Sequence, residues 1–72
     1  MENLKRIREN AGLTQEDLAR KAGLTLSGLR QVETGRREPR LATAQAIASA
    51  LGVPIEQIWP YSAEHLTDAE QA

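Results

Sequence analysis

The residues in this chain best suited to chemistry are hydrogen-bonding and positively charged side chains on one short helical segment. The stretch from Leu26 to about Glu33 has the spacing of a helix that turns Leu29 and Val32 inward. Its outward positions are then Leu26, Ser27, Arg30 and Gln31. A guanidinium can donate two hydrogen bonds to guanine O6 and N7, and a glutamine amide can pair with adenine N6 and N7. The chemistry that these residues offer is recognition by hydrogen bonds.

The sequence lacks the residues that catalysis and metal binding need. The 72-residue sequence has no cysteine, which excludes disulfide bonds and thiolate metal sites. Its single histidine, His65, lies in a polar C-terminal stretch without a partner in the sequence for proton transfer or metal coordination. There is no phosphate-binding glycine-rich loop and no carboxylate pair with a reason to be close. We therefore expect a protein that is not an enzyme and has no metal ion or cofactor.

Positive charge is concentrated in the first part of the sequence. All nine lysines and arginines lie in residues 1–40 against six acids, a charge of +3, whereas residues 41–72 carry four acids and no lysine or arginine, a charge of −4. Three of the basic residues, Arg36, Arg37 and Arg40, fall in a short loop after Gly35. Such a loop is either an ordinary solvated surface or a site for a polyanion, and its place beside the outward helical face favours the anion.

Two short helices joined by a tight turn are needed to position that face. Within residues 15–34, Ala19 has the small side chain over which two steeply crossing helices can approach each other. Gly23 can adopt the positive φ of a sharp turn, and Thr25 can cap the helix that follows. This combination is typical of a helix-turn-helix.

The same stretch resembles the DNA-binding helix-turn-helix of the Cro/phage-repressor family, also called the lambda-repressor-like or xenobiotic-response-element family. The resemblance runs from Asn3 to about Trp59, and it is carried by residues 13–19, 22–25, 32–35 and 41–53. It implies an all-α, compact five-helix lambda-repressor-like domain over residues 1–61, with the helix-turn-helix in the second and third helices. Residues 62–72 then form an acidic tail that either continues as a frayed helix or is disordered.

Matched residue by residue, the resemblance implies two sets of DNA contacts. The base-reading set is the outward face of the third helix, namely Leu26, Ser27, Arg30 and Gln31. The phosphate-binding set combines two helix starts with the basic loop, namely Gln15, Thr25, Arg36, Arg37 and Arg40. Alternatives stay open for Gln15, which also suits an exposed helix start, and for Leu26, which either meets a thymine methyl or packs as a hydrophobic staple. Gly28 suits either close approach to the DNA backbone or simple tolerance.

The resemblance also implies a structural ion pair between Arg8 and Glu33. Arg8 lies beside the apolar stripe of the first helix, so its position asks for a partner, and family members pair an arginine here with the glutamate that ends the third helix. A DNA-facing Arg8 is the competing interpretation. We expect the pair to be partly buried, and removal of one partner would cost about 3–5 kcal/mol if the burial is deep and less if water reaches the pair.

Local signals predict the helix boundaries. The first helix should begin at an N-cap Asn3 and carry the stripe Leu4, Ile7 and Ala11. The second should open with a capping box between Thr14 and Asp17. The fourth should run from Leu41 to Leu51 before Gly52, and the fifth from Pro54 at its first position through Trp59.

The apolar residues near the fifth helix exceed what one small helix should need to bury. They are Val53, Ile55, Ile58, Trp59 and Tyr61. One interpretation is closure of the core with Trp59 as a lid. The other, which we favour, is a two-fold dimer patch, because this end of the fold often supplies the dimer contact in the family.

Together these features predict a sequence-specific transcriptional regulator of double-stranded DNA, expected to be a cytoplasmic repressor. It would read the major groove with the third helix as a homodimer on a palindromic operator. Alternatives are an antitoxin or restriction–modification controller of the same fold, with a toxin or other protein as partner, and a protein-interaction module that does not read DNA. No apolar run approaches the roughly 20 residues that span a bilayer, so no membrane partner is expected.

Overall fold

The computed structural model of the protein describes residues 2–60, and every regular element within that range is an α-helix. The five helices are α1 (Glu2–Asn10), α2 (Gln15–Ala22), α3 (Leu26–Glu33), α4 (Leu41–Leu51) and α5 (Ile55–Ile58). This is the predicted all-α, five-helix architecture, with α2 and α3 as the helix-turn-helix. Tyr61 and the acidic tail lie outside the described residues.

The ends of α2 are fixed by local hydrogen bonds of the predicted kind. Thr14 Oγ1 accepts a hydrogen bond from the Asp17 backbone N–H at 3.0 Å, and Asp17 Oδ2 accepts one from the Thr14 backbone N–H at 3.1 Å. At the other end Gly23 has φ 74°, and its N–H donates to the carbonyl of Ala19. A left-handed residue here turns the chain sharply toward α3, which is why glycine suits the position.

Gly28 has an explanation within α3 itself. Thr25 is the N-cap, and its Oγ1 accepts a hydrogen bond from the Gly28 backbone N–H at 2.9 Å. A Cβ at Gly28 would lie 3.0 Å from that same oxygen, which is tighter than ordinary side-chain contact. The absent side chain therefore gives room to the cap. At the other end Thr34, not Gly35, is the C-cap, and Gly35 follows with φ 81°.

The predicted start of α1 is wrong. Asn3 lies inside the helix, and its side chain instead donates hydrogen bonds to the carbonyl oxygens of Gln57 at 2.7 Å and Ile58 at 2.9 Å. Those carbonyls belong to the end of α5, where a helix leaves its acceptors without intrahelical partners. Ala11 also departs from prediction, because it follows the end of α1 and is exposed.

The fifth helix is shorter than predicted at both ends. Pro54 is its N-cap, with the extended angles φ −68° and ψ 150°, so the first helical residue is Ile55. Trp59 adopts φ −124° and ψ 84° and ends the helix one residue earlier than expected. The bounds of α4 agree with prediction, and Gly52 ends it with φ 72°.

The core lies where α2 packs against α3 and α4 and where α5 closes over α4 and α1. Its buried apolar residues are Leu4, Leu18, Ala19, Leu29, Val32, Ala44, Ile47, Ala48, Ile58 and Trp59. Ala19 is only 3% exposed, as expected for the small residue at the crossing of two helices. No described helix has the length and apolar character needed to cross a membrane.

Two residues of the predicted dimer patch belong to this core. Ile58 is fully buried and Trp59 is 6% exposed, so their side chains cannot form a surface for a second subunit in this conformation. Val53 and Ile55 are half-buried and pack against the core. The apolar excess around α5 is thus largely explained by closure of a small core, as the alternative interpretation had it.

We expect the capping box of α2 to make stability depend on acid pH. Hydrogen bonds from the backbone and side chain of Thr14, with a contribution from Arg20, hold the pKa of the Asp17 carboxyl below its ordinary value. A depressed folded-state pKa contributes stability above the unfolded pKa, about 4, and that contribution is lost as the pH falls through the folded value. Asp17→Asn should therefore destabilise the chain at pH 7 and make little difference near pH 2, measured by denaturant unfolding followed by circular dichroism.

The control for this comparison is Glu16→Gln, which removes a neighbouring negative charge from the same helical turn and leaves the capping box intact. An equal loss of stability in the two variants at pH 7 would show that helix-end charge, and not the box, is responsible.

Candidate nucleic-acid interface

The outward face of α3 has the composition that the sequence predicted. Leu29 and Val32 are buried on its inner side. Ser27 and Arg30 are exposed and Gln31 is half-buried, and Gln31 Nε2 donates a hydrogen bond to Ser27 Oγ at 3.4 Å. This contact is long, so it leaves both groups able to exchange it for hydrogen bonds to a ligand. The face therefore presents three polar side chains within one helical turn and a half.

Leu26 does not occupy a hydrophobic-staple position. With Thr25 as N-cap, the staple positions are Leu24 before the cap and Leu29 in the second turn. Leu24 is half-buried and packs against the core cluster that contains Leu29, whereas Leu26 is half-buried outside that set of core-packed residues. Its apolar side chain is thus part of the same outward face as Ser27.

Arg8 and Glu33 form a buried ion pair between α1 and the end of α3. Arg8 Nε lies 2.7 Å from Glu33 Oε2, and the two side chains are 9% and 5% exposed. Arg8 also donates to the carbonyl oxygen of Leu13 at 2.8 Å, in the segment that leads into α2. Because Arg8 is buried and so engaged, the structure does not support a DNA-facing role for it.

Gln15 joins this ion pair to the outward face. Its Nε2 donates to Glu33 Oε1 at 2.6 Å, and its Oε1 accepts from Arg30 Nε at 3.2 Å. Four side chains from three helices therefore form one hydrogen-bonded series, in the order Arg8, Glu33, Gln15 and Arg30. The sequence did not predict the hydrogen bonds of Gln15 with Glu33 and Arg30, because Gln15 was expected to contact phosphate. The one feature of the sequence that pointed to them was an amide, which both donates and accepts hydrogen bonds, at the start of α2.

The basic loop is attached to the end of α3 by its backbone. The N–H groups of Arg36 and Arg37 donate to the carbonyl oxygen of Gln31 at 2.9 and 3.1 Å. Both arginines are exposed, and Pro39 is buried and so anchors the loop against the body of the domain. Arg40 is also exposed and is the N-cap residue of α4. The backbone of the loop is thus held directly after the outward face, and the arginine side chains extend from it into solvent.

The starts of α2 and α3 can each offer donors to an anion. First-turn N–H groups of a helix have no intrahelical partner and lie at its positive end. Gln15 is the first residue of α2, and its amide has a second hydrogen besides the one donated to Glu33. Thr25 is exposed at the start of α3, and its hydroxyl hydrogen is not used in the bond from Gly28.

Metal chemistry finds no support at this surface. Among the described residues, no group of three or more histidine, cysteine, aspartate or glutamate side chains is placed to hold a metal ion. At this surface the structure brings together hydrogen-bonding side chains and arginines, on a helix-turn-helix whose second helix faces outward. The fold and the site together show that the protein is a helix-turn-helix domain.

Comparison with known proteins places this domain in a family. The chain matches the model of a family described as helix-turn-helix over residues 4–58. It belongs to the Cro/phage-repressor helix-turn-helix family, a family of DNA-binding transcription regulators and not a class of enzymes. No solved structure matches the chain significantly.

Several relatives carry names of the same kind. The chain is 41% identical over 71 residues to an immunity repressor protein of Bacillus phage phi105, with 99% of this chain and 48% of the relative covered. It is 43% identical over 58 residues to an uncharacterized HTH-type transcriptional regulator of Methanocaldococcus jannaschii, with 81% and 88% covered. It is 33% identical over 72 residues to an HTH-type transcriptional repressor of Bacillus subtilis, with 99% and 53% covered. The chain therefore spans about half the length of the two repressors.

The buried ion pair gives a prediction for stability. Glu33→Met leaves the Arg8 guanidinium buried without its counter-charge, so we expect the free energy of unfolding to fall by about 3–5 kcal/mol. The double variant Arg8→Met/Glu33→Met removes both charges at similar volume and should recover most of that loss. Denaturant unfolding of the two single variants and the double variant measures this coupling. A double variant as unstable as the sum of the two single losses would show that the pair is not coupled.

Proposed function

We propose that this chain is a sequence-specific regulator of transcription that inserts α3 into the major groove of double-stranded DNA. The observation that carries the proposal is the outward face of α3, with its polar side chains and one apolar residue, continued by an anchored loop of arginines. A major groove about 12 Å wide admits one α-helix, and base edges there present acceptors, donors and thymine methyl groups. Each of these groups has a complementary side chain on α3.

The base contacts follow from the chemistry of each side chain. Arg30 pairs with guanine O6 and N7, and Gln31 pairs with adenine N6 and N7. Ser27 donates to or accepts from either kind of base edge. Leu26 contacts a thymine methyl, which agrees with its place outside the core-packed residues. The target half-site is expected to contain a guanine, an adenine and a thymine within a few base pairs.

Phosphate contacts would set the register of the helix in the groove. They come from the starts of α2 and α3 and from the basic loop, that is from Gln15, Thr25, Arg36, Arg37 and Arg40. This local concentration of arginine explains how a chain of net charge −1 can bind a polyanion, because attraction depends on the nearest charges when salt screens the distant ones.

A dimer on a palindromic operator is the form in which such a domain would act. A single helix reads only a few base pairs, so two domains one helical turn of DNA apart are needed for useful specificity. Since Ile58 and Trp59 are buried, the dimer surface would be built on Val53 and Ile55, with Tyr61 beyond the described residues. We further propose that the protein acts in the cytoplasm as a repressor. Two of its relatives are named as repressors, and the chain matches each over 99% of its own length.

Two arginines should respond differently to alanine substitution. Arg30→Ala should weaken binding to the preferred duplex by about 1–3 kcal/mol and relax the preference at one base pair. Arg36→Ala should weaken binding to all duplexes alike and lower the slope of log K against log salt by about 1. Both follow from titrations of the preferred duplex and its single-base variants at two salt concentrations. Equal effects of the two substitutions across all sequences would contradict these roles.

Selection from a random duplex pool tests the proposal as a whole. The expected winner has two-fold symmetry, with half-sites about one helical turn apart, and binds two chains per duplex in native mass spectrometry. An enriched site without symmetry, bound by one chain, would retain base reading and reject the dimer. Background binding of flat sequence preference would reject DNA reading and favour a partner protein on the α3 face.

A further inference from the structure

The side chain of Gln15 lies between a buried anchor and an exposed reading residue. On one side it donates to Glu33 Oε1 at 2.6 Å, and Glu33 is fixed by the buried bond from Arg8 at 2.7 Å. On the other side it accepts from Arg30 Nε at 3.2 Å. Arg30 is exposed, whereas Glu33 is 5% exposed, so Gln15 spans the boundary between core and surface.

The chemistry of its neighbours leaves the Gln15 amide one orientation. A carboxylate only accepts hydrogen bonds and a guanidinium only donates them. The NH₂ group must therefore face Glu33 and the carbonyl oxygen must face Arg30. The reverse orientation would set oxygen against oxygen at Glu33 and hydrogen against hydrogen at Arg30. The direction of the amide is thus imposed at both ends.

The bond to Gln15 uses the Nε edge of the Arg30 guanidinium. The two terminal amino groups remain, and they are the donors that reach guanine O6 and N7 in a bidentate contact. A long arginine side chain on an exposed helix ordinarily loses rotamer freedom when a ligand fixes it. A guanidinium already held at Nε loses less on binding, and it points its terminal groups in one direction.

We propose that Gln15 is a positioning residue that transmits the orientation of the buried Arg8–Glu33 pair to Arg30 and thereby sets the guanine preference of α3. The inference rests on the proposed function, since it takes Arg30 as the residue that reads guanine. It goes beyond the phosphate contact expected of Gln15, which its backbone N–H and second amide hydrogen can still make. The two roles differ in one measurable respect. A phosphate contact supports every sequence equally, whereas a positioning contact supports one base over the other three.

The test uses the whole chain and a near-isosteric substitution. Gln15→Met keeps the length and helix-forming character of the side chain and removes both hydrogen bonds. Gln45→Met is the matched control, because it makes the same change at an exposed position of α4. The probes are the preferred duplex and its three variants at the base pair whose preference Arg30→Ala relaxes. Affinities for the four duplexes are titrated at one salt concentration.

For the wild-type chain, we expect a preference for guanine at that base pair of about 5- to 150-fold. Gln15→Met should reduce this preference by about two- to tenfold, the effect of one lost hydrogen bond, while Gln45→Met leaves it unchanged. In an Arg30→Ala background, Gln15→Met should have no further effect on the relative affinities of the four duplexes. Unfolding midpoints of the same variants show how much of any change comes from lost stability, which weakens all four duplexes together.

Each way in which the proposal can be wrong gives a different set of affinities. If Gln15→Met weakens the four duplexes equally and leaves the wild-type preference intact, Gln15 acts through phosphate alone and the inference is wrong, although Arg30 still reads guanine. If Arg30→Ala relaxes no base pair, the assignment of Arg30 under the proposed function is wrong and the inference falls with it. If Gln15→Met shifts the preference equally in the Arg30→Ala background, Gln15 reads the base itself and does not act through Arg30.

A second readout needs no DNA. In the free chain the Arg30 Nε–H is hydrogen-bonded to Gln15, so its ¹⁵N-resolved NMR signal should exchange with water more slowly than that of exposed Arg36. Gln15→Met should remove this difference, and Gln45→Met should keep it. Equal exchange of the two arginines in the wild-type chain would overturn the positioning role.

Discussion

Arg8 and Glu33 carry opposite charges out of water, and the geometry of the candidate interface depends on how tightly they are held there. Removing two charges from solvent is costly, and good geometry with further hydrogen bonds is what offsets the cost. Arg8 satisfies this through Glu33 and the carbonyl oxygen of Leu13, and Glu33 through Arg8 and Gln15. A pair with such demands allows few alternative arrangements. It therefore fixes the end of α3 relative to α1 and to the start of α2, and with it the position of the outward face of α3.

The outward face of α3 combines this fixed base with local freedom. The Gln31–Ser27 contact is long, and the arginines of the loop are exposed on a backbone that two hydrogen bonds hold to Gln31. In the proposed complex with DNA, the rigid frame would set the register, and the exposed side chains would adjust to individual bases and phosphates.

Local signals in the sequence were sufficient for the helices that bear the site. Four helix ends lie where the sequence predicted them, because each depends on a property of one residue. That property is a side-chain acceptor at Thr14 and Thr25 and a positive φ at Gly23 and Gly52. Contacts between distant segments were not predictable in this way. Asn3 looked like an N-cap because nothing local shows that it bonds to residues 57 and 58. Trp59 looked like surplus surface because the size of the cavity that it fills depends on all the other helices. The hydrogen bonds of Gln15 with Glu33 and Arg30 could not be predicted either, because they depend on the angle at which α2 and α3 cross.

The Asn3 contact has a consequence for the connectivity of the chain. A single side chain bridges residue 3 to residues 57 and 58, so the two ends of the described fold are neighbours in space. A short covalent linker could therefore join them, and the backbone could be opened in a surface turn instead, to give a circularly permuted chain with the same packing. The order in which the helices follow one another along the polypeptide is then separable from the arrangement that presents α3. The described fold thus begins and ends in two helices, the first and the fifth, that are in contact with each other.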